Sequence, residues 1–187
     1  MDLKTYQVKS TRTAPFNANP QNEIEFQNVL MNYSAGMVGE WFELQTELSK
    51  VNLNEVVPMN LVDKVEKEIG DVLHYAVNLL TILDVEINES KTIKKVDFKK
   101  LEESLGNILE IPKKYIYHGH AIDKEKYVES IYNVISYLNA SFGMNMESIL
   151  QKNIDKLKLR YPEKFTTKDS IKRVDVDPLA NMYNRQK

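Results

Sequence analysis

The sequence contains no cysteine. Disulfide bonds, thiolate zinc sites and cysteine nucleophiles are therefore excluded, and the composition suits a reducing compartment. The opening Met-Asp-Leu-Lys-Thr-Tyr-Gln lacks the apolar core of a signal peptide. No run of about 18 apolar residues occurs, so we expect no membrane span, no membrane partner and a cytoplasmic location.

Basic blocks and phosphate loops are also missing. The formal net charge is -2. Because tight binding to a nucleic acid backbone needs clustered cations, we expect no nucleic acid partner. A glycine-rich phosphate loop of the Walker type does not occur, which excludes the nucleotide-hydrolysing mechanisms that depend on that loop.

Glycine and proline are scarce, at 6 residues each, and strand-like alternation is rare. Apolar residues instead recur at steps of three and four, the period of an α-helix. Residues 22–49 and 60–86 carry the two clearest stripes. The first consists of Phe26, Leu30, Tyr33, Met37, Trp41, Leu44 and Leu48, and the second of Val62, Val65, Ile69, Val72, Ala76, Leu80 and Leu83.

Three further helices are predicted at about 97–116, 123–142 and 146–160. Residues 52–60 and 88–92 are connections, Gly119 lies in a turn, and Pro162 stops the last helix. A length of 187 residues suits one domain. The sequence therefore predicts a single all-α domain over 1–187, a helical bundle of about five to six helices. Its polar tail, 163–187, is expected to be irregular, with Leu179 and Met182 able to dock.

Two acidic pairs lie beside the two stripes. Glu40 and Glu43 form ExxE in the first long helix, and Glu68 and Asp71 form ExxD in the second. Residues three apart share a helix face, so two antiparallel helices would bring four carboxylates together. Such a cluster repels itself unless cations neutralise it, and hard oxygen donors favour Mg²⁺ or Mn²⁺. We therefore predict a divalent-metal site with all four as ligands.

The acidic pairs, Gly70 and the two histidines of the turn at Gly119 also have interpretations that involve no metal or ligand. Each acidic pair could be a solvated helix face with ordinary ion pairs, for which Lys64 and Lys67 are available. Gly70 could serve either tight helix packing or close approach of a ligand. His118 and His120 form a poor metal set without cysteine, so an exposed turn is the better interpretation.

Residues 37–78 can be laid over residues 101–140 as an internal repeat. The stretch from Glu68 to Tyr75 then matches the stretch from Ser130 to Tyr137 at isoleucine, valine and tyrosine positions. We interpret 22–87 as the active repeat and 97–160 as a degenerate copy, which keeps the shape and loses the metal. The four acidic positions become Ser104, Asn107, Ser130 and Asn133.

Three stretches together resemble the MazG-like nucleotide pyrophosphohydrolases, an all-α family. They are 36–43 with ExxE, 68–75 with ExxD, and 153–165 with the ending KLxxRYPxxF. The opening Tyr6-Gln7 and Arg12-Thr13-Ala14 are also similar to the start of single-domain members. The resemblance covers about 3–166. The duplicated middle departs from simple members and resembles dimeric dUTPases, relatives with one working and one degenerate half.

The resemblance implies Mg²⁺-dependent hydrolysis of a nucleoside triphosphate to a monophosphate and pyrophosphate, in the clearance of unwanted nucleotides. Glu43 is the expected general base, since a carboxylate that metal does not saturate can take the proton of water. The implied phosphate-binding residues are Asn153, Lys156 and Arg160, and Asn78 could touch the sugar or a phosphate. The alternative for these four is an ordinary polar helix surface.

Two other functions remain open from the sequence. The first is a narrower dUTPase-like diphosphatase, and the second is a catalytically inactive helical interaction protein. We also expect a homodimer, because the exposed stripe residues on two hairpins exceed what one chain can cover. Phe42 points away from the stripe that holds Trp41, and could line either the partner interface or a base pocket.

Overall fold

The computed structural model describes residues 1–14, 20–52 and 54–172. Within these ranges the chain forms seven α-helices and two short 3-10 turns, and no strand. The helices are α1 (Leu3–Ser10), α2 (Glu23–Leu48), α3 (Met59–Ile82), α4 (Phe98–His118), α5 (Lys124–Ser141), α6 (Met146–Arg160) and α7 (Thr167–Lys172). The predicted all-α helical bundle is confirmed.

Capping residues explain where the long helices begin and end. Asn22 accepts a hydrogen bond of 2.9 Å from the backbone N–H of Glu25 and so begins α2. Asp97, Asp123 and Asn145 begin α4, α5 and α6 in the same way. Gly119 ends α4 with φ 68, a left-handed conformation that glycine adopts without strain. α3 ends at Ile82, earlier than predicted, just before Asp84 turns to φ 54.

The four longest helices form two antiparallel hairpins, α2 with α3 and α4 with α5. The hairpins pack on each other through α2 against α4 and α3 against α5. The Trp41 ring of α2 also lies edge-on to Tyr137 of α5 at 5.9 Å. Trp41 is 3% exposed, as its place in the apolar stripe predicted. The core lies between the hairpins and is dominated by leucine, isoleucine, valine and tyrosine side chains.

α1 and α6 pack against the other side of α3 and against each other. Sequence analysis did not predict α1. The residues that α1 buries include Gln7 and Ser10 beside Leu3 and Tyr6, so an apolar stripe could not mark it. The interior contacts of Gln7 are hydrogen bonds, with its Nε2 donating to the Val85 carbonyl at 2.9 Å.

α7 falls within the segment that was expected to be irregular. Its start is stabilised by Thr166, whose Oγ1 accepts a hydrogen bond from the Asp169 N–H at 3.0 Å. Leu179, Met182 and most of the predicted loop at 17–20 lie outside the described residues. Among the described helices, none combines the length and apolar character that crossing a membrane requires.

Candidate active site

Three carboxylates converge between α2 and α3. Glu40 comes from α2 and Glu68 and Asp71 from α3, and one oxygen of each lies within 4.8 Å of the others. Glu68 is 7% exposed, and its Oε2 is buried with no hydrogen-bond partner among the described residues. Glu43, the fourth predicted ligand, is exposed and lies outside this group. The spacing therefore brought three of the four acidic residues together.

Two lysines neutralise part of this charge. Nζ of Lys67 lies 2.7 Å from Oε1 of Glu68 and 3.3 Å from Oδ2 of Asp71. Lys156 of α6 forms an ion pair with Oδ1 of Asp71. Glu40 has no ion pair among the described residues. The lysines therefore compensate the negative charge of the two α3 carboxylates but not that of Glu40 on α2.

The uneven compensation gives the carboxylates different pKa values. Burial, together with the charges of Asp71, Glu43 and Glu68, raises the pKa of Glu40 to about 7. Burial acts in the same direction on Asp71, but the ion pair with Lys156 and the charge of Lys67 outweigh it, so the pKa of Asp71 is lowered. Asp71 therefore stays ionised at neutral pH, while Glu40 gains or loses its proton there.

A chain of buried contacts fixes the position of Asp71. Nδ2 of Asn153 donates to Oδ1 of Asp71 at 2.8 Å, and Oδ1 of Asn153 accepts a hydrogen bond from the Tyr6 hydroxyl at 2.7 Å. A Cβ added to Gly70 would lie 3.0 Å from Cβ of Asn153. Gly70 thus allows α6 to approach α3 closely at the point where Asp71 is held, which favours the helix-packing interpretation of this glycine.

A cavity of about 710 Å³ opens beside the carboxylates. Its volume lies in the range of sites for small organic ligands. Charged and titratable side chains at the acidic part of its wall are Glu40, Glu43, Lys67, Asp71 and His74. The remaining wall includes Thr13, Asn32, Tyr75, Leu157, Arg160, Tyr161, Phe165, Thr167 and Ser170.

The four predicted substrate-binding residues occupy different places. Arg160 lines the cavity. Asn153 and Lys156 contact Asp71 and line a smaller cleft of about 270 Å³ between α3 and α6. Asn78 is 2% exposed, and its Nδ2 donates to Oγ of Ser10 at 3.1 Å and to the His74 carbonyl at 2.8 Å. Asn78 is thus bonded to the protein interior, and its contact with a substrate stays a prediction.

Sequence reasoning missed the roles of His74 and Tyr6 and considered Lys67 only as a surface partner. Burial lowers the pKa of His74 to about 4, so its imidazole is neutral at physiological pH. Tyr6 reaches Asn153 across 147 positions of sequence. No local pattern signals such a long-range hydrogen bond. The similarity of Tyr6-Gln7 to the start of family members was the one sequence feature that pointed to this region.

The loop after α6 is held by an arginine from the N-terminal segment. Nη1 of Arg12 donates to three successive carbonyls, those of Tyr161 at 3.1 Å, Pro162 at 3.1 Å and Glu163 at 2.7 Å. The Tyr161 ring packs on Phe165 at a centroid distance of 5.1 Å. These contacts fix one wall of the cavity.

The second hairpin carries uncharged residues at the positions that match the acidic ones. Nδ2 of Asn133 donates to Oγ of Ser104 at 3.1 Å, and Nδ2 of Asn107 donates to Oγ of Ser130 at 3.3 Å. Hydrogen bonds thus join α4 and α5 where carboxylates meet between α2 and α3. This arrangement fits the predicted degenerate repeat, whose common origin with the first hairpin stays a prediction.

Among the described residues, Glu40, Glu68 and Asp71 form the one group of three or more potential metal ligands. His118 and His120 do not belong to such a group and are exposed. No protein-family model, curated protein or solved structure matches the chain. The resemblance to MazG-like proteins therefore remains a prediction from the three motifs.

Proposed function

We propose that the chain is a cytoplasmic, Mg²⁺-dependent nucleoside triphosphate pyrophosphohydrolase of the MazG-like type. It would release a nucleoside monophosphate and pyrophosphate and so remove unwanted nucleotides. The observation that carries this proposal is the convergence of Glu40, Glu68 and Asp71 beside a cavity of about 710 Å³. The buried Oε2 of Glu68, which lacks a hydrogen-bond partner among the described residues, adds independent support.

The donor set suits a hard divalent cation. Glu40, Glu68 and Asp71 would hold the ion with carboxylate oxygens, the ligands that Mg²⁺ and Mn²⁺ prefer. Bound Mg²⁺ would supply positive charge that offsets the phosphate oxygens and lowers the pKa of nearby water. Lys67 also lines the cavity, so its ammonium can pair with phosphate oxygens when it leaves Glu68 and Asp71.

The other groups have separable roles in the proposed hydrolysis. Glu43 lies on the cavity wall outside the three-carboxylate group, which leaves it free to accept a proton from water. The water oxygen forms a bond to the α-phosphorus, and the bond from that phosphorus to the bridging oxygen breaks, so pyrophosphate leaves. Arg160 on the same wall has the charge to bind the polyphosphate. His74 is neutral and serves as no acid at physiological pH.

The predicted degenerate repeat in the second hairpin supports the narrower dUTPase-like alternative, because dimeric dUTPases combine a working and a degenerate half. The inactive interaction protein is less well supported. In an inactive interaction protein the acidic groups would be solvated surface charges. Glu68, however, is 7% exposed, and Asp71 contacts Lys156 and Asn153.

Pyrophosphate release from a panel of nucleoside and deoxynucleoside triphosphates, with Mg²⁺ or Mn²⁺, tests these functions. We expect turnover by the wild type and at least a hundredfold loss in Glu68→Gln and Asp71→Asn, with unchanged helicity by circular dichroism. Asp63→Asn is the matched control, since Asp63 lies on the exposed side of α3. A strong preference for dUTP would establish the dUTPase-like enzyme. No turnover of any nucleotide would leave the interaction protein.

We further propose that the enzyme is a homodimer. Phe42 is 64% exposed on α2 beside Glu43. Val56, in the connection before α3, and Met59, the first residue of α3, are 94% and 74% exposed. Exposed apolar side chains of this size favour burial against a second copy. Sedimentation of the wild type should give the dimer mass, and Phe42→Asp should shift the protein toward the monomer. A monomeric wild type would contradict the proposal.

A further inference from the structure

The cavity wall combines charged and uncharged side chains. Its charged residues include Glu40, Glu43, Lys67 and Arg160. Neutral polar and aromatic side chains, such as Asn32 and Phe165, also line it. A nucleotide likewise combines a polyanionic end with an uncharged, flat end that carries hydrogen-bonding groups.

The position of Asn32 along α2 places it at a distance from the carboxylates. Asn32 lies eight residues before Glu40 on the same helix. At the rise of an α-helix, this separates the two Cα atoms by about 12 Å. The phosphate-binding end and Asn32 are therefore far enough apart to contact different parts of one nucleotide.

Tyr75 lies between these two points. A Cβ on Gly36, midway between Asn32 and Glu40, would overlap the Tyr75 ring. The ring therefore lies directly on the backbone of α2, and it also lines the cavity. An aromatic ring therefore lines the wall between Glu40 and Asn32.

The side chain of Asn32 is also chemically available. It is exposed to the cavity, and its carboxamide has no hydrogen-bond partner among the described residues. The carboxamides of Asn78 and Asn153, by contrast, are bonded to protein groups. A free carboxamide presents a donor and an acceptor side by side, which is the pattern that matches a nucleobase edge.

We propose that the part of the cavity beside Asn32 is a nucleobase subsite and that Asn32 is its specificity-determining residue, hydrogen-bonded to the base edge. The inference rests on the proposed function, because the polyphosphate of the same nucleotide occupies the part of the cavity beside Glu40 and Asp71. It goes further by naming the residue that distinguishes one base from another.

Relative kcat/KM values for the deoxynucleoside triphosphates test this assignment in the wild type, Asn32→Ala and Asn32→Asp. We expect Asn32→Ala to reduce the ratio between the best and worst substrate by about ten- to a hundredfold, the discrimination that one bidentate contact to a base supports. Asn32→Asp should change the order of preference, because a carboxylate accepts hydrogen bonds but donates none. The control is Asn28→Ala, since Asn28 is exposed one turn earlier on α2 and does not line the cavity.

The outcomes separate this inference from the proposed function. If the wild type releases pyrophosphate but shows no base preference, or if Asn32→Ala and Asn32→Asp keep the wild-type preference, the base subsite is wrong and the enzyme assignment stands. If no nucleotide is turned over, calorimetric binding of each nucleoside triphosphate with Mg²⁺ replaces turnover. Base-dependent affinity that Asn32→Ala abolishes would then support the subsite, and affinity that is equal for all bases, or unmeasurable, would overturn it.

Discussion

Glu40 and Asp71 are both acidic, yet their surroundings give them opposite properties. Asp71 contacts Lys67, Lys156 and Asn153, and its pKa is lowered. Glu40 has no ion pair among the described residues, and its pKa is raised to about 7. The charge of Glu40 is therefore the least compensated in the cluster. It follows that Glu40 should weaken the fold wherever it is ionised and no metal is bound.

This gives a prediction for the pH dependence of stability. The pKa of Glu40 in the native protein is above its model value of 4.5. Between these values the native state holds the proton more tightly than the unfolded state does, so stability falls as pH rises from about 4.5 to about 7. Glu40→Gln removes this effect and should stabilise the metal-free protein by on the order of 1 kcal/mol at about pH 8, after allowance for solvent screening, and little at about pH 5.

Urea unfolding in a chelating buffer at both pH values measures that difference. His74 is present in both proteins, so its own titration cancels in the comparison. An equal effect of Glu40→Gln at the two pH values would show that charge repulsion is not its cause.

At the residue scale, the sequence could predict which acidic side chains meet but not what holds them. ExxE and ExxD on facing helices placed Glu40, Glu68 and Asp71 in one group. Lys156 and Asn153 both contact Asp71, and their contacts with phosphate stay a prediction. The contacts with Asp71 depend on how closely α6 crosses α3. No spacing within α6 encodes that distance.

Two glycines of α2 lie in different surroundings, one in a packed contact and the other facing open space. Gly36 faces Tyr75, whereas a Cβ on Gly39 would meet nothing within 4 Å. Although the two residues are only about one helical turn apart, Gly36 lies in a tight contact and Gly39 does not. Their different surroundings make them a matched pair for measuring the contact.

Alanine substitutions at these glycines should have opposite effects. Gly36→Ala should destabilise the protein by about 1–3 kcal/mol, because the added methyl group overlaps the Tyr75 ring and forces it to move. Gly39→Ala should stabilise it by about 0.5–1 kcal/mol, the usual gain from replacing glycine in an exposed helix interior. Urea denaturation of both variants measures the two changes. Equal effects would mean that the Tyr75 ring can leave the helix surface without loss.

The hydroxyl group of Tyr6 links α1 to the site. It donates to Oδ1 of Asn153 at 2.7 Å and approaches the Gly70 carbonyl at 3.3 Å. Tyr6→Phe removes the donor and leaves the Asn153 oxygen buried, so we expect a loss of about 1–2 kcal/mol in the free energy of unfolding. Chemical denaturation provides the measurement. Tyr117→Phe is the control because Tyr117 is 69% exposed. If Tyr6→Phe is as stable as Tyr117→Phe, the hydrogen bond makes no net contribution to the free energy of unfolding.

At the element scale, apolar periodicity predicted α2 to α6 within a few residues, since each of them buries a continuous stripe. It could not predict α1, whose buried face includes Gln7 and Ser10 and is held by hydrogen bonds. It also missed α7, a short helix stabilised locally by Thr166 and Asp169. Short helices that depend on polar contacts lack the signal on which periodicity relies.

At the scale of the whole molecule, metal binding should stabilise the fold, because Glu40, Glu68 and Asp71 come together in the folded chain alone. A ligand at about 100 times its dissociation constant adds about 2.7 kcal/mol. For a domain of this size, that corresponds to a rise of about 5–10 °C in Tm. Calorimetry with Mg²⁺ or Mn²⁺ against a chelator tests this in the wild type. Glu68→Gln should show a much smaller rise, and an equal rise would place the ion elsewhere.

The architecture of the whole chain was predictable in outline, but the cavity was not. Two amphipathic hairpins follow from the sequence pattern, whereas the common origin of the two hairpins stays a prediction. The cavity requires the loop after α6 to lie across the first hairpin. That placement depends on Arg12, which lies about 150 positions away from the three carbonyls it contacts.

The hydrogen bonds from Arg12 to those carbonyls have a practical consequence for protein engineering. A fragment reduced to α2 and α3 would carry Glu40, Glu68 and Asp71. It would lack Asn153, which donates a hydrogen bond to Asp71, and it would lack the cavity wall formed by the loop after α6. Such a fragment grafted onto another scaffold should bind cations loosely and recognise no nucleotide. The smallest transplantable unit must also include the first 13 residues, all of α6 and the segment 161–170.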